Sequence, residues 1–294
     1  MVPAKFLARY RIDDPDRFRL DKFDTADDGG LDLDKDKIKK ILAAEVEQLA
    51  ELQNTLYAED RWSVLVVLQG MDTSGKDGII KHVMGAINPQ GCVVHPFKAP
   101  SGEELDHDFL WRAALRLPER GRFAVFNRSY YEEVIVVRVH PEFLDKQRLP
   151  DQLRGKDIWQ QRFKSIRGFE RHLARSGTLV LKFFLHISPE EQRKRLLARL
   201  DEPDKRWKFA KGDIAERKLW DQYMAAYQDA IRATSRAHAP WHIVPADHKP
   251  FARIVVARAV VDALSRLDPK VPRLASGDLK ELEAIHKALR AEGR

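Results

Sequence analysis

Cysteine is almost absent. Cys92 stands alone in 294 residues, which excludes an internal disulfide framework and any cysteine-based zinc site. No apolar run approaches the roughly 20 residues that cross a bilayer, so no membrane partner is expected. The N-terminal stretch carries charge throughout (Lys5, Arg9, Arg11, Asp13, Asp14) and lacks the apolar segment of a secretory signal, so a cytoplasmic location is expected. Glycine and proline, at 15 each, are too few for a fibrous or low-complexity chain, and no internal repeat is present. Charge, by contrast, is plentiful. Charged residues make up 33% of the chain, and 52 Lys+Arg against 45 Asp+Glu leave a formal net charge of +7. That surplus suits a polyanionic partner, whether nucleotide phosphates, polyphosphate or nucleic acid, without choosing among them.

Residues 1–36 read as an irregular extension ending in an acidic, glycine-containing stretch, expected to be a solvated linker. The aspartates there do not make a calcium loop, because the turn glycine and closing glutamate of the EF-hand pattern are out of place. From Lys37 the period changes. Ile38, Ile41, Leu42, Val46, Leu49, Leu52 and Leu56 recur at three- and four-residue spacing and predict an amphipathic helix ending near Asp60. The continuous apolar run at 62–68 then predicts a buried strand. The alternation repeats, with strands predicted at 92–97, 123–127, 178–187 and 241–244 and helices at 76–86, 103–115, 160–175, 189–200, 213–236 and 252–267. Ser101 with Glu104, and Ser188 with Glu191 behind Pro189, form capping-box patterns. Strands alternating with helices predict an α/β fold, a parallel sheet with helices on both faces, over 37–270. A C-terminal helical extension, 271–294, is expected to pack on the domain or on a neighbouring subunit.

The first strand runs directly into Gly70-Met71-Asp72-Thr73-Ser74-Gly75-Lys76-Asp77-Gly78, and a helical pattern follows. This is P-loop spacing in its strand–loop–helix context. Glycines let backbone N–H groups converge on phosphate oxygens, and the helix N-terminus adds its positive end. Gly70, Thr73, Ser74, Gly75, Lys76, Asp77 and Gly78 are therefore expected to bind phosphate. The residue after the lysine, usually a Ser or Thr that helps hold Mg²⁺, is here Asp77. Asp72 adds a second carboxylate that would repel a phosphate unless a cation stood between them. It is the leading candidate for a Mg²⁺ ligand, the alternative being a turn-stabilising aspartate.

The loop resembles the Walker A segment of the polyphosphate kinase 2 family. The resemblance extends to Phe97-Lys98-Ala99-Pro100-Ser101, to Phe126-Asn127-Arg128-Ser129-Tyr130-Tyr131-Glu132-Glu133, and to Asp201-Glu202-Pro203-Asp204-Lys205-Arg206-Trp207-Lys208-Phe209. It implies a P-loop kinase-like fold with a helical lid, here at about 189–215, and reversible, Mg²⁺-dependent phosphoryl transfer between inorganic polyphosphate and nucleotides. Mn²⁺ is an alternative cofactor. Residues 126–129 resemble the subgroup that phosphorylates both AMP and ADP, so ADP and ATP are the expected products.

In P-loop kinases a strand tip commonly supplies a metal-holding Asp. Here that place is held by Asn127, which offers a carbonyl oxygen without charge and shifts weight onto Asp72. Arg128 is expected at a phosphate or a transition-state oxygen, where its fork of donors fits, against the plainer reading of an ion pair with Glu132. Glu132 and Glu133 are candidates for a second metal or for orienting the acceptor. In the lid, Arg195 and Arg199 share one helix face and are expected to offset charge on the transferred group, while Arg193, Lys205 and Lys208 bind the phosphate chain. Phe97, Lys98, Ala99, Pro100, Asp106 and Arg112, with Asn127 and Arg128, are expected around the acceptor nucleotide. Trp111 stacks on a base or fills the core. His238, His242 and His248 lack a companion metal pattern and read as structural. The competing readings are an ATP-dependent nucleoside monophosphate kinase and a non-catalytic polyanion- or nucleic-acid-binding module. Nucleic acid is not the expected partner, and the resemblance implies a homodimer or homotetramer.

Overall fold

The computed structural model describes residues 4–31, 34–208, 212–273 and 276–292. Helix α1 (Lys35–Glu59) leads into β1 (Ser63–Gln69), and α2 (Lys76–His82) follows. Next come β2 (Cys92–Pro96), α3 (Gly102–Asp106), α4 (Trp111–Ala114), β3 (Phe123–Asn127), α5 (Glu132–Val139) and α6 (Ile158–Arg175). The second half runs β4 (Thr178–His186), α7 (Pro189–Asp201), α8 (Gly212–Lys218), α9 (Trp220–Thr234), β5 (Trp241–Pro245), α10 (Lys249–Leu267) and α11 (Ser276–Glu292).

Among the described residues five strands form one parallel sheet, in the order β2-β3-β1-β4-β5. Every residue of β1 is buried, as a central strand covered on both faces requires. One group of helices joins α1, α2 and α10, and another joins α5, α6 and α9. The strand tips of β1, β3 and β4 therefore open at one end of the sheet, where ligands bind in such folds.

Several elements differ from the sequence reading. The helix predicted at 103–115 is two short helices, because the Asp108 carboxylate accepts the Leu110 N–H (2.9 Å) and closes a turn between them. The helix predicted at 213–236 breaks at Leu219, whose N–H turns back to Glu216 O (3.1 Å). Ahead of the acidic stretch, the N-terminal segment packs on the domain. Phe6, Leu7, Tyr10, Ile12, Phe18 and Leu20 are buried in the main core. Ile12 N–H donates to Trp241 O (2.9 Å) and Ile243 N–H to Tyr10 O (2.8 Å), so residues 10–12 cover the outer edge of β5. Covering the strand satisfies backbone groups that would otherwise invite another chain. Helix α11 presents Leu279, Leu282, Ile285 and Leu289 on its exposed surface. Among the described residues no helix is long and apolar enough to cross a membrane.

Candidate active site

Between β1 and α2 the chain makes the P-loop turn. Gly70 has φ +152°, and a Cβ there would stand 2.7 Å from Ser74 Oγ and 2.8 Å from Leu185 O. Gly75 caps α2 at φ +111°, a conformation that side chains disfavour. Thr73 takes left-handed backbone at φ +63°, and Arg128, across the cleft, does the same at +64°. Strain of this kind persists where surrounding structure holds it, commonly at functional sites.

Lys76 opens α2 and is 8% exposed. Its Nζ donates to Gly70 O (2.7 Å) and Met71 O (3.1 Å). Burial and the neighbouring Arg128 charge bring its pKa down to about 8, against the pull of Asp72, Glu132 and Asp77. The Thr73 and Ser74 hydroxyls are buried without a hydrogen-bond partner. An unmatched buried hydroxyl is costly, and both line an open cleft where a phosphate oxygen can take up the bond.

That cleft, about 880 Å³, is walled by Asp72, Thr73, Ser74, Gly75, Lys76, Asp77 and Gly78, by Phe97, Lys98 and Ala99, by Asn127 and Arg128, and by Arg195 and Arg199 of α7. Gly70 lies buried beneath it. A second cavity, about 260 Å³, adjoins it and is lined by Lys98, Ala99, Pro100, Arg112, Arg128 and Glu132, with Phe109, Val136 and Phe143 as apolar walls. Lys98, Ala99 and Arg128 line both.

The tip of β3 is fixed from below. Arg128 N–H donates to Leu68 O (3.0 Å), and Ser129 Oγ accepts from Gln69 Nε2 (3.2 Å) and Tyr131 N–H (3.1 Å). Beneath, the Tyr130 and Tyr131 hydroxyls donate to Glu170 Oε1 (2.9 and 2.8 Å), and Lys182 Nζ donates to Glu170 Oε2 (2.7 Å). Burial lowers the Lys182 pKa to about 8. Above, Arg128 lies 3.7 Å from Glu132, whose charge raises the guanidinium pKa.

The arginines of α7 differ in depth. Arg199 Nη1 donates to Asp72 Oδ2 (2.7 Å) at the mouth of the loop. Arg195 is 7% exposed, and its guanidinium is spent on protein: Nη1 on Thr73 O (2.9 Å) and Ser74 O (3.3 Å), Nη2 on Ala246 O (2.6 Å) and Asp247 O (2.9 Å), Nε on Glu191 (2.8 Å). Arg195, on the cleft wall, thus braces the P-loop carbonyls. Arg193 lies two residues away, about 200° round the helix, and pairs with Glu190 outside both cavities. Asp106 pairs with Arg148 and also lines neither. Arg112 donates to Lys98 O (2.7 Å) and lies over the Phe97 ring, shaping the segment between the cavities. Trp111 stacks on His107 at 3.9 Å between ring centroids. His242 is buried against Lys182 O. Lys205 and Lys208 lie in the short turn Pro203–Lys208, and their side chains fall outside the described residues.

Lys249 and Arg253, one turn apart at the start of α10, also line the larger cleft and were missed. Lys249 carries a signal of its own: a cation in the first helical turn opposes the helix dipole and suits a bound anion there.

A divalent cation fits the oxygen donors on the cleft wall. Asp72 and Asp77 bring carboxylates, and Asn127, whose nitrogen donates to Asp77 Oδ1 (2.9 Å), keeps its amide oxygen for a ligand. Mg²⁺ is commonly held by one or two carboxylates, with substrate phosphates and water completing its shell. Among the described residues no three His, Cys, Asp or Glu side chains gather into an all-protein metal site. Glu132 lines the smaller cavity and not this one.

The chain is 46% identical over 282 residues to the ADP-polyphosphate phosphotransferase of Rhodopseudomonas palustris, covering 96% of this chain and 97% of that one. It is 44% identical over 267 residues to the AMP/ADP-polyphosphate phosphotransferase of Meiothermus ruber, covering 91% and 96%. Among solved structures, polyphosphate kinase 2 from Arthrobacter aurescens superposes with a TM-score of 0.83 at 42% identity, covering 91% of this chain and 93% of that one. The family model for Polyphosphate kinase 2 (PPK2) matches residues 32–272. With its P-loop kinase-like sheet and these relatives over nearly its whole length, the chain belongs to the polyphosphate kinase 2 family.

Proposed function

We propose that this protein transfers the terminal phosphoryl group of inorganic polyphosphate to AMP and ADP, reversibly, forming ADP and ATP. The observation that carries this reading is the junction of two cavities at Arg128, one lined by the P-loop and lid, the other by the 98–100 segment and apolar side chains. The larger suits the polymer's phosphates and the smaller a nucleoside, which makes Arg128 the contact common to donor and acceptor.

An oxygen of the nucleotide phosphate attacks the terminal phosphorus in line. The new P–O bond forms as the bridging P–O bond breaks, and the polymer leaves one unit shorter with the charge on its new end. Phosphoryl transfer asks mainly for positioning and charge neutralisation, and the attacking oxygen is already ionised at neutral pH, so no general base is needed. Lys76, Arg128 and Arg199 neutralise the transferred group, and the P-loop amides with Thr73 and Ser74 orient it. Gly75, Asp77 and Gly78 frame the phosphate site. Lys194, Lys249 and Arg253, on the wall of the larger cleft, extend the positive path for the chain. Mg²⁺, or Mn²⁺ in its place, would be held by Asp72 and Asp77 with Asn127, and would supply charge between loop carboxylates and phosphates. We assign the exposed apolar stripe of α11 to a homo-oligomer, a dimer or tetramer, acting in the cytoplasm.

Purified protein given long-chain polyphosphate, Mg²⁺ and AMP, with no ATP, is expected to form ADP and then ATP by chromatographic assay. No new nucleotide anhydride under those conditions overturns the reading.

A further inference from the structure

Asp247, in the loop between β5 and α10, bonds directly to the N-terminal segment and to α7. Its Oδ1 accepts the N–H of Ser188 (2.8 Å), the residue that caps α7 by accepting Glu191 N–H on its own hydroxyl (3.1 Å). Its Oδ2 accepts the Thr25 hydroxyl (2.8 Å), and its N–H donates to Thr25 O (3.1 Å). Its carbonyl receives Arg195 Nη2, and the same guanidinium reaches Thr73 O and Ser74 O in the P-loop. The N-terminal segment is itself immobilised, through Tyr10–Asp27 (2.9 Å), Leu20 N–H to Gln228 (3.1 Å) and the backbone bonds to β5. The N-terminal strap and the base of α7 therefore meet at one carboxylate, and Arg195 ties the backbone carbonyl of the same residue to the phosphate loop.

We propose that Thr25 and Asp247 are positioning residues for phosphoryl transfer. The strap clamps the base of α7 through the Asp247 carboxylate, and Arg195 carries that alignment to the P-loop. The lid pivots about this clamp, so Arg199, one turn beyond Arg195, stays registered on Asp72. The proposal rests on the polyphosphate reading above. Loosening the clamp acts on the donor side, because the smaller cavity shares no residue with it. Misregistered lid residues also admit water to the transferred group.

Thr25→Val deletes only the hydroxyl bond and keeps the side-chain shape. In the full-length protein it is expected to raise the KM for polyphosphate about 10-fold, within the range that a small misplacement can cost. The KM for ADP stays as in wild type, and phosphate released without acceptor rises relative to transfer. Thr25→Ser restores both. Hydrogen exchange of Thr25→Val is expected to quicken in peptides covering 188–192 and not in β1. Unchanged donor KM and hydrolysis ratio, equal shifts for both substrates, or unaltered exchange at 188–192 would each overturn the clamp. A wild-type protein without polyphosphate-dependent turnover sinks the functional reading instead, and the exchange measurement still decides on the clamp.

Discussion

The side-chain amide of Asn127 donates to Asp77 Oδ1 across 2.9 Å, tying the tip of β3 to the first turn of α2. Each residue departs from the usual P-loop kinase pattern, in which a hydroxyl follows the lysine and a carboxylate ends the strand. Together they exchange roles: the carboxylate sits on the helix, and the strand supplies the amide that aims it. One negative charge is kept on that wall of the cleft.

Asp77→Asn keeps the side chain's size and removes its charge. The Mg²⁺ concentration for half-maximal turnover is expected to rise about 10- to 100-fold, the usual scale for disturbing a metal's supporting groups. Titrating Mg²⁺ in the nucleotide-forming assay measures it, and an unshifted midpoint removes Asp77 from the metal site.

Arg199→Ala and Arg195→Ala are expected to separate catalysis from architecture. Losing Arg199 should lower kcat about 10²- to 10³-fold, as for one preorganised donor to developing charge. Its ion pair with Asp72 contributes within about 1 kcal/mol to stability. Arg195→Ala instead strips donors from the carbonyls of Thr73, Ser74, Ala246 and Asp247, and should lower both Tm and activity. Equal melting temperatures for the two variants would contradict this division.

Lys76 titrates near pH 8 in the free protein because burial opposes its charge. The ammonium is the phosphate-binding form, so kcat/KM for polyphosphate should fall as pH rises through about 8. A bound polyanion pulls the pKa up again, so the fall in kcat lies at higher pH. Lys76→Arg, charged throughout, should flatten the alkaline limb whatever its activity.

Glu170→Ala leaves the Lys182 ammonium fully buried and without its carboxylate. Destabilisation of about 3–5 kcal/mol is expected from urea unfolding. Lys182→Met added to it should restore much of the loss, since the orphaned charge is then gone.

The buried strand, the glycine turn and the helix after it were legible because a continuous apolar run meets a loop whose spacing serves one chemistry. Ser101 and Ser188 cap their helices as their patterns imply. The break at Asp108 was not legible, since one carboxylate accepting a local N–H outweighs helical periodicity there. Nor was the burial of Phe6, Tyr10, Ile12 and Phe18, which follow neither a helical nor a strand period. Arg195 and Arg199 share a helix face, and only the approach of Ala246 and Asp247 to the first of them tells a brace from a contact. The substrate came from resemblance, because no spacing of cations distinguishes one polyanion from another.

The seam between residues 10–12 and β5 also dictates an order of events during synthesis. Ile12 and Ser235, hydrogen-bonded in the finished protein, are 223 residues apart. At roughly 5–20 residues per second on the ribosome, the opening segment emerges about ten seconds or more before its docking place exists. Its aromatic side chains must wait, solvated or chaperoned, until β5 is translated and residues 10–12 can settle on its edge.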